Sequence, residues 1–230
     1  MDEVSKNNKF GQKGYILKCL AENNLKELRN ISHFYYNING IYSRTCDYFA
    51  SLYRYDWYVV PQSEKEASAD KLLKDFSKLL TFLDKSYVRK ICNDIAKKII
   101  LDGAYYGYEV SSSKGLILQD LPIDYCRSRY SVNGMPAVEF NMKYFDTFRD
   151  PAYRMRVLKL FPDEFSKGYM LYKQGKLKPD FAGDNSGSWY LLDPEYTVKF
   201  NNGANDIPMF VKAIPALIDL DAAQNLDRRR

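Results

Sequence analysis

The spacing of apolar residues changes at Gly103, and that change sets the fold class. Upstream, Leu72, Leu73, Phe76, Leu79, Leu80 and Leu83 recur at helical intervals and line one face. Val88, Ile91, Cys92, Ile95, Ile99 and Leu101 do the same for a second helix, with Ser86 as its expected N-cap and Gly103 as its C-cap. Joined at Asp84-Lys85, the two are expected to form an antiparallel hairpin. Downstream of Gly103, the run Ala104–Val110 is strand-like. Leu116–Gln119, Tyr125–Ser131 and Ala137–Tyr144 follow as further strands, the last two joined by the hairpin turn Asn133-Gly134. The expected fold is α+β, with helices packed on small antiparallel sheets.

The remaining segments fit that frame. Residues 1–20 read as a flexible N-terminal arm. Residues 21–30 read as a short helix. From Gly40 to Tyr55, Ile41, Tyr48, Phe49, Leu52 and Tyr53 mark another helix. Trp57–Val60 is strand-like and stops at Pro61. Residues 152–174 are helical, with Pro162 at a helix start and Gly175 at the end. Trp189–Leu192 and Tyr196–Phe200 read as a second hairpin across Asp193-Pro194. The segment 216–230 reads as the start of a further helix that continues past Arg230, which leaves 21–215 as one α+β domain.

Several function classes are excluded. No run of 18 uncharged apolar residues exists, so no membrane span is expected. The opening Met-Asp-Glu-Val-Ser-Lys has no apolar core of the kind a secretory signal needs. The cysteines Cys19, Cys46, Cys92 and Cys126 are dispersed, and the single His33 is near none of them, so a zinc site is not expected. Cys46 and Cys92 sit in apolar-periodic segments and read as core thiols. The net charge of +5 is spread thinly: residues 181–227 hold two basic and seven acidic groups before Arg228, Arg229 and Arg230. A dedicated nucleic-acid reader concentrates its cations instead.

A search for catalytic patterns finds none. There is no Gly-x-Ser-x-Gly elbow, phosphate loop or dinucleotide fingerprint. Asp163 and Asp180 resemble fragments of a metal-nuclease motif, but Asp163 falls where a helix start attracts acids anyway. No enzyme activity, cofactor or metal is therefore expected, with a metal-dependent nuclease as the alternative and a monomeric adaptor or scaffold-binding module as a third class. Arg127 and Arg129 alternate on one strand and so share a face. They are candidates for phosphate contact or, more simply, for ion pairs. Twenty tyrosines suit surfaces buried against another chain.

Three stretches resemble the portal (head–tail connector) proteins of tailed bacteriophages. One is Ile41–Pro61, read as a helix running into a short strand and proline. A second is Ile91–Val110, a helix ending in the turn Asp102-Gly103-Ala104-Tyr105-Tyr106-Gly107 before a strand, the step Leu121-Pro122 and a hairpin. The third is Ile207–Leu217, which resembles the approach to a long stem helix. The chain departs from the family in length, and stem and channel segments would lie beyond residue 230. The resemblance implies a wing-type module of a ring homo-oligomer, a dodecamer at one capsid vertex of the virion, assembled in the host cytoplasm. Its implied partners are further copies of itself, the major capsid protein, the terminase packaging motor, a head–tail adaptor and double-stranded DNA passing non-specifically through the centre. The subunit itself carries out no bond chemistry. Candidate residues for subunit contact are Tyr48, Tyr53, Tyr55 and Trp57, for which a place in the core is an equal alternative.

Overall fold

Asparagine caps start the first two long helices of the chain. In this computed structural model, which describes residues 8–53, 69–112, 115–177, 187–203 and 205–227, Asn24 Oδ1 accepts from Glu27 N–H and Asn39 Oδ1 from Tyr42 N–H. Each bond satisfies an amide that the helix itself leaves unpaired. The helices are α1 (Lys13–Ala21), α2 (Leu25–Ile38), α3 (Gly40–Leu52), α4 (Ala69–Lys85) and α5 (Val88–Asp102). Strands β1 (Ala104–Ser112) to β6 (Glu139–Asn141) follow, with β2 at Gly115–Asp120, β3 at Cys126–Arg127, β4 at Ser131–Val132 and β5 at Met135–Pro136. Next come α6 (Lys143–Asp146), α7 (Pro151–Leu158), α8 (Asp163–Lys173), β7 (Trp189–Leu191), β8 (Thr197–Asn201) and α9 (Ile214–Asp227). The fold is α+β, with small antiparallel sheets of two or three strands. Among the described residues no helix is long and apolar enough to cross a membrane.

Contacts divide the chain into two units, Met1–Ala104 with Asn201–Arg230, and Tyr105–Phe200. The first is helical. Its core joins Ile16 and Cys19 of α1, Leu28, Ile31 and Tyr35 of α2, Tyr42, Cys46 and Ala50 of α3, Ile100 and Leu101 of α5, and Val211 and Ile214. Each full burial of a large apolar side chain contributes about 1.5–3 kcal/mol before entropy is counted. The N-terminal arm expected over residues 1–20 is therefore corrected from Lys13 onward: Ile16 and Cys19, three residues apart, anchor α1 in this core. Gly103 ends α5 at φ +86°, with its amide bonded to Ile99 C=O. A Cβ there would lie 2.1 Å from the Asp206 carbonyl oxygen, so only glycine allows the two segments to approach.

The second unit holds the sheets. One has the order β2-β1-β8, another β3-β6-β7, and β4-β5 is a separate ribbon turned by Asn133 and Gly134, both at positive φ. Such a turn matches the strand twist. Phe140, Phe145, Phe161 and Phe165 form a cluster with Tyr144 and Tyr169, most pairs meeting edge to face or tilted. Much of the aromatic excess thus fills this core, each pair adding about 0.5–1.5 kcal/mol beyond its burial.

Three further expectations are corrected. Trp189–Leu192 and Tyr196–Phe200 do not pair with each other: β7 joins β6, while β8 joins the sheet of β1. Left-handed Tyr87 (φ 53°), not Ser86, occupies the N-cap position of α5; Ser86 is buried one residue earlier, with its amide bonded to Phe82 C=O. Cys92 is exposed although it shares a face with the buried Ala96 and Ile100, because it lies one and two turns nearer the start of α5, before the helix reaches the core.

Candidate interaction surface

Helix α3 is apolar on two sides. Tyr42, Cys46 and Ala50 point into the core at i, i+4 and i+8. At 3.6 residues per turn, that leaves Ile41, Arg44, Tyr48 and Leu52 along the back of the helix. All four are exposed: Ile41 to 54%, Tyr48 to 62% and Leu52 to 47%, while Tyr53, just past the last turn, is 65% exposed. A helix with apolar side chains on opposite faces is normally covered on both. Of the tyrosines singled out from the sequence, Tyr48 and Tyr53 therefore stand outside the core. Tyr55 and Trp57 lie outside the described residues.

A polar clamp fixes this face. Lys97 Nζ on α5 donates to Tyr36 Oη on α2 at 2.6 Å and pairs with Asp47 of α3 at 3.0 Å. Tyr36 Oη donates in turn to Asp47 Oδ1 at 2.8 Å. The hydrogen bond that Lys97 donates to Tyr36 and the nearby Asp47 carboxylate hold the Lys97 pKa above its ordinary value despite the opposing effect of burial. Deeper in, Ser32 Oγ and Tyr42 Oη share a buried hydrogen bond of 2.9 Å, and burial pushes the Cys46 thiol up to about 11, which keeps it protonated. The back of α3 is thus a firmly oriented platform.

Among the described residues, helix α4 presents a second apolar face that nothing covers. None of its residues from Lys71 to Lys85 is buried, and Leu72, Leu73 and Leu79 are exposed. The expected helix pair with α5 exists, but the leucine row does not enter a core. Its apolar face is rimmed by Lys71, Lys74, Asp75 and Lys78, with Lys78 Nζ 3.1 Å from Asp75 Oδ1.

Arg127 and Arg129 converge on one carboxylate in the second unit. Arg127 on β3 sits directly opposite Glu139 on β6. Its Nε donates to Glu139 Oε2 at 2.9 Å, Arg129 Nη2 donates to the same oxygen at 3.2 Å, and the Arg127 guanidinium lies 3.9 Å over the Trp189 ring. Glu139 is only 1% exposed. Both guanidiniums are committed to a buried acid, and Arg127 is held as well by its stack on Trp189. The sequence reading named the arginines and missed Glu139, whose apolar strand context gave no sign of a charge partner.

A similar polar knot ties α6 to α8. Asp146 accepts from Tyr169 Oη at 2.7 Å and Tyr172 Oη at 3.0 Å, and pairs with Lys173 at 2.7 Å. Burial would raise the Asp146 pKa, but Lys173 and the two phenols outweigh it and hold the carboxyl below its usual range. In the helical unit, His33 Nε2 lies 2.7 Å from Asp102 Oδ1, which raises the imidazole pKa against the opposing effects of burial and Arg29.

Asp163 begins α8, as a helix N-terminus favours. Asp180 falls outside the described residues. Among the described residues no three His, Cys, Asp or Glu side chains converge as a metal site would need. No family model, curated protein or solved structure matches the chain.

Proposed function

We propose that the chain is a structural subunit of a portal-type ring, working by geometry at the vertex of a phage capsid. The observation that carries this reading is the row Ile41, Tyr48 and Leu52, exposed on a helix whose other side is already in the core, with the exposed Tyr53 just past its end. Large exposed apolar surface on a folded chain marks an interaction site. A second such face, on α4, differs in sequence from the first. Two dissimilar faces suit a head-to-tail contact, which closes into a ring when the rotation between neighbours allows. The α+β class with small antiparallel sheets is the one expected from the sequence's resemblance to the wing portion. In this reading double-stranded DNA passes through the central hole without base-specific contact, and the packaging motor and adaptor dock on the ring.

Negative-stain microscopy of the purified full chain tests it. The expected result is closed rings with a central hole and a single rotational order, near twelve-fold. Particles no larger than one chain at micromolar concentration would overturn the reading.

A further inference from the structure

We propose that α4 of one subunit packs antiparallel on the exposed back of α3 in the next, with Arg44 of one chain facing Asp75 of the other. The inference rests on the ring reading and names the surfaces that would close it.

The argument begins with matched spacing. On α3 the exposed row is Ile41, Arg44, Tyr48, Leu52; on α4 the corresponding row is the exposed Leu72, Asp75 and Leu79 followed by the half-buried Leu83. Both run apolar, charged, apolar, apolar at intervals of three, four and four residues. The charges are opposite. Leu73, Phe76 and Leu80 widen the α4 row into a full apolar face, of which Leu73 is 61% exposed.

Charge selects the orientation. At 100° per residue, Arg44 lies roughly 60° to one side of the row Ile41–Tyr48–Leu52, and Asp75 lies roughly as far to the same side of its own row. Two helices packed face to face bring equivalent flanks together only when they run antiparallel. In that orientation Ile41 comes level with Leu79, Tyr48 with Leu72, and Arg44 with Asp75. A parallel pair would put the two charges on opposite flanks. The existing Lys78–Asp75 contact is solvent-exposed on both partners and offers little resistance to exchange. Two copies of α4 packed on each other would instead bring lysine-rich rims together, which like charges oppose.

Charge reversal tests the pairing in the full chain, with assembly followed by sedimentation velocity across a concentration series. Arg44→Asp alone and Asp75→Arg alone each place like charges in contact and should raise the concentration for half-assembly by roughly 100-fold. The double variant should regain assembly. So should an equimolar mixture of the two single variants, because every contact in an alternating ring is then complementary. Circular dichroism confirms that each variant is folded, and both sites are exposed. A second readout uses Tyr48→Cys with Leu72→Cys in a Cys92→Ser background, which should give disulfide-linked multimers under mild oxidation. Wild-type assembly that ignores the single reversals, or a double variant that stays apart, overturns the pairing and leaves the ring reading intact. Multimers linked only 72 to 72, seen by peptide mapping, would overturn it in favour of α4 self-pairing. A wild-type chain that never assembles overturns the ring reading itself.

Discussion

Replacing Glu139 by glutamine removes one negative charge and almost no volume, so it isolates the electrostatic part of the second unit's core. The carboxylate is 1% exposed and receives Arg127 Nε at 2.9 Å, Arg127 Nη2 at 3.4 Å and Arg129 Nη2 at 3.2 Å. Breaking a buried pair by neutralising one partner costs about 3–5 kcal/mol, because the remaining charge is left in a poorly solvated place. Here the arginine side chains keep 19% and 34% exposure, and Arg127 retains its stack on Trp189. Water offsets part of the loss, so the lower end, about 3 kcal/mol, is expected. In a chain of this size that lowers the melting temperature by about 6–12 °C. Urea unfolding followed by circular dichroism reads the change directly, with tryptophan fluorescence reporting on Trp189. A double-mutant cycle with Arg127→Met should show strong coupling, since the two residues share one interaction. A Glu139→Gln chain within about 0.5 kcal/mol of wild type would refute the reasoning.

Three further outcomes follow from the helical unit. Gly103→Ala should destabilise by about 2–4 kcal/mol, because a methyl group at φ +86° meets the Asp206 carbonyl; an unchanged urea midpoint contradicts this. Tyr35→Phe should be neutral or stabilising by about 1 kcal/mol, since among the described residues the buried Tyr35 hydroxyl has no hydrogen-bond partner and burial pushes its pKa up to about 12; a clear loss of stability would show a partner. The His33–Asp102 pair raises the imidazole pKa above 6.5, so its contribution is full below that value and fades as pH rises through the folded-state value. The melting-temperature gap between wild type and His33→Gln should therefore close toward alkaline pH, and a gap that widens there would show the sign to be wrong.

Local chemistry was legible in the sequence, and what covers each surface was not. Gly103 could be read because a helix stop and a change of apolar spacing coincide at one residue. Asn133-Gly134 could be read because both central positions of its turn need positive φ. The α4 leucines were rightly placed on one face, but spacing says which side chains face together and nothing about what meets them. The same gap explains Cys92, which shares a face with the buried Ala96 and Ile100 yet stands where the core does not reach. Arg127 and Arg129 were grouped correctly by alternation, whereas Glu139 acts across a strand register that only the folded chain defines. The run Trp189–Phe200 was misread because two adjacent strands suggest a hairpin, while each finds its partner in a different sheet. Ile16 and Cys19 gave too short a signal to reveal α1, whose stability comes from the core it joins.

Native mass spectrometry of the full chain, held at near-neutral pH and moderate salt, tests the central claim most directly. A portal-type subunit gives one dominant species at a fixed multiple of the chain mass, near twelve, with no continuous ladder above it. A spectrum of single chains alone, or an open ladder of ever larger assemblies, contradicts a closed ring.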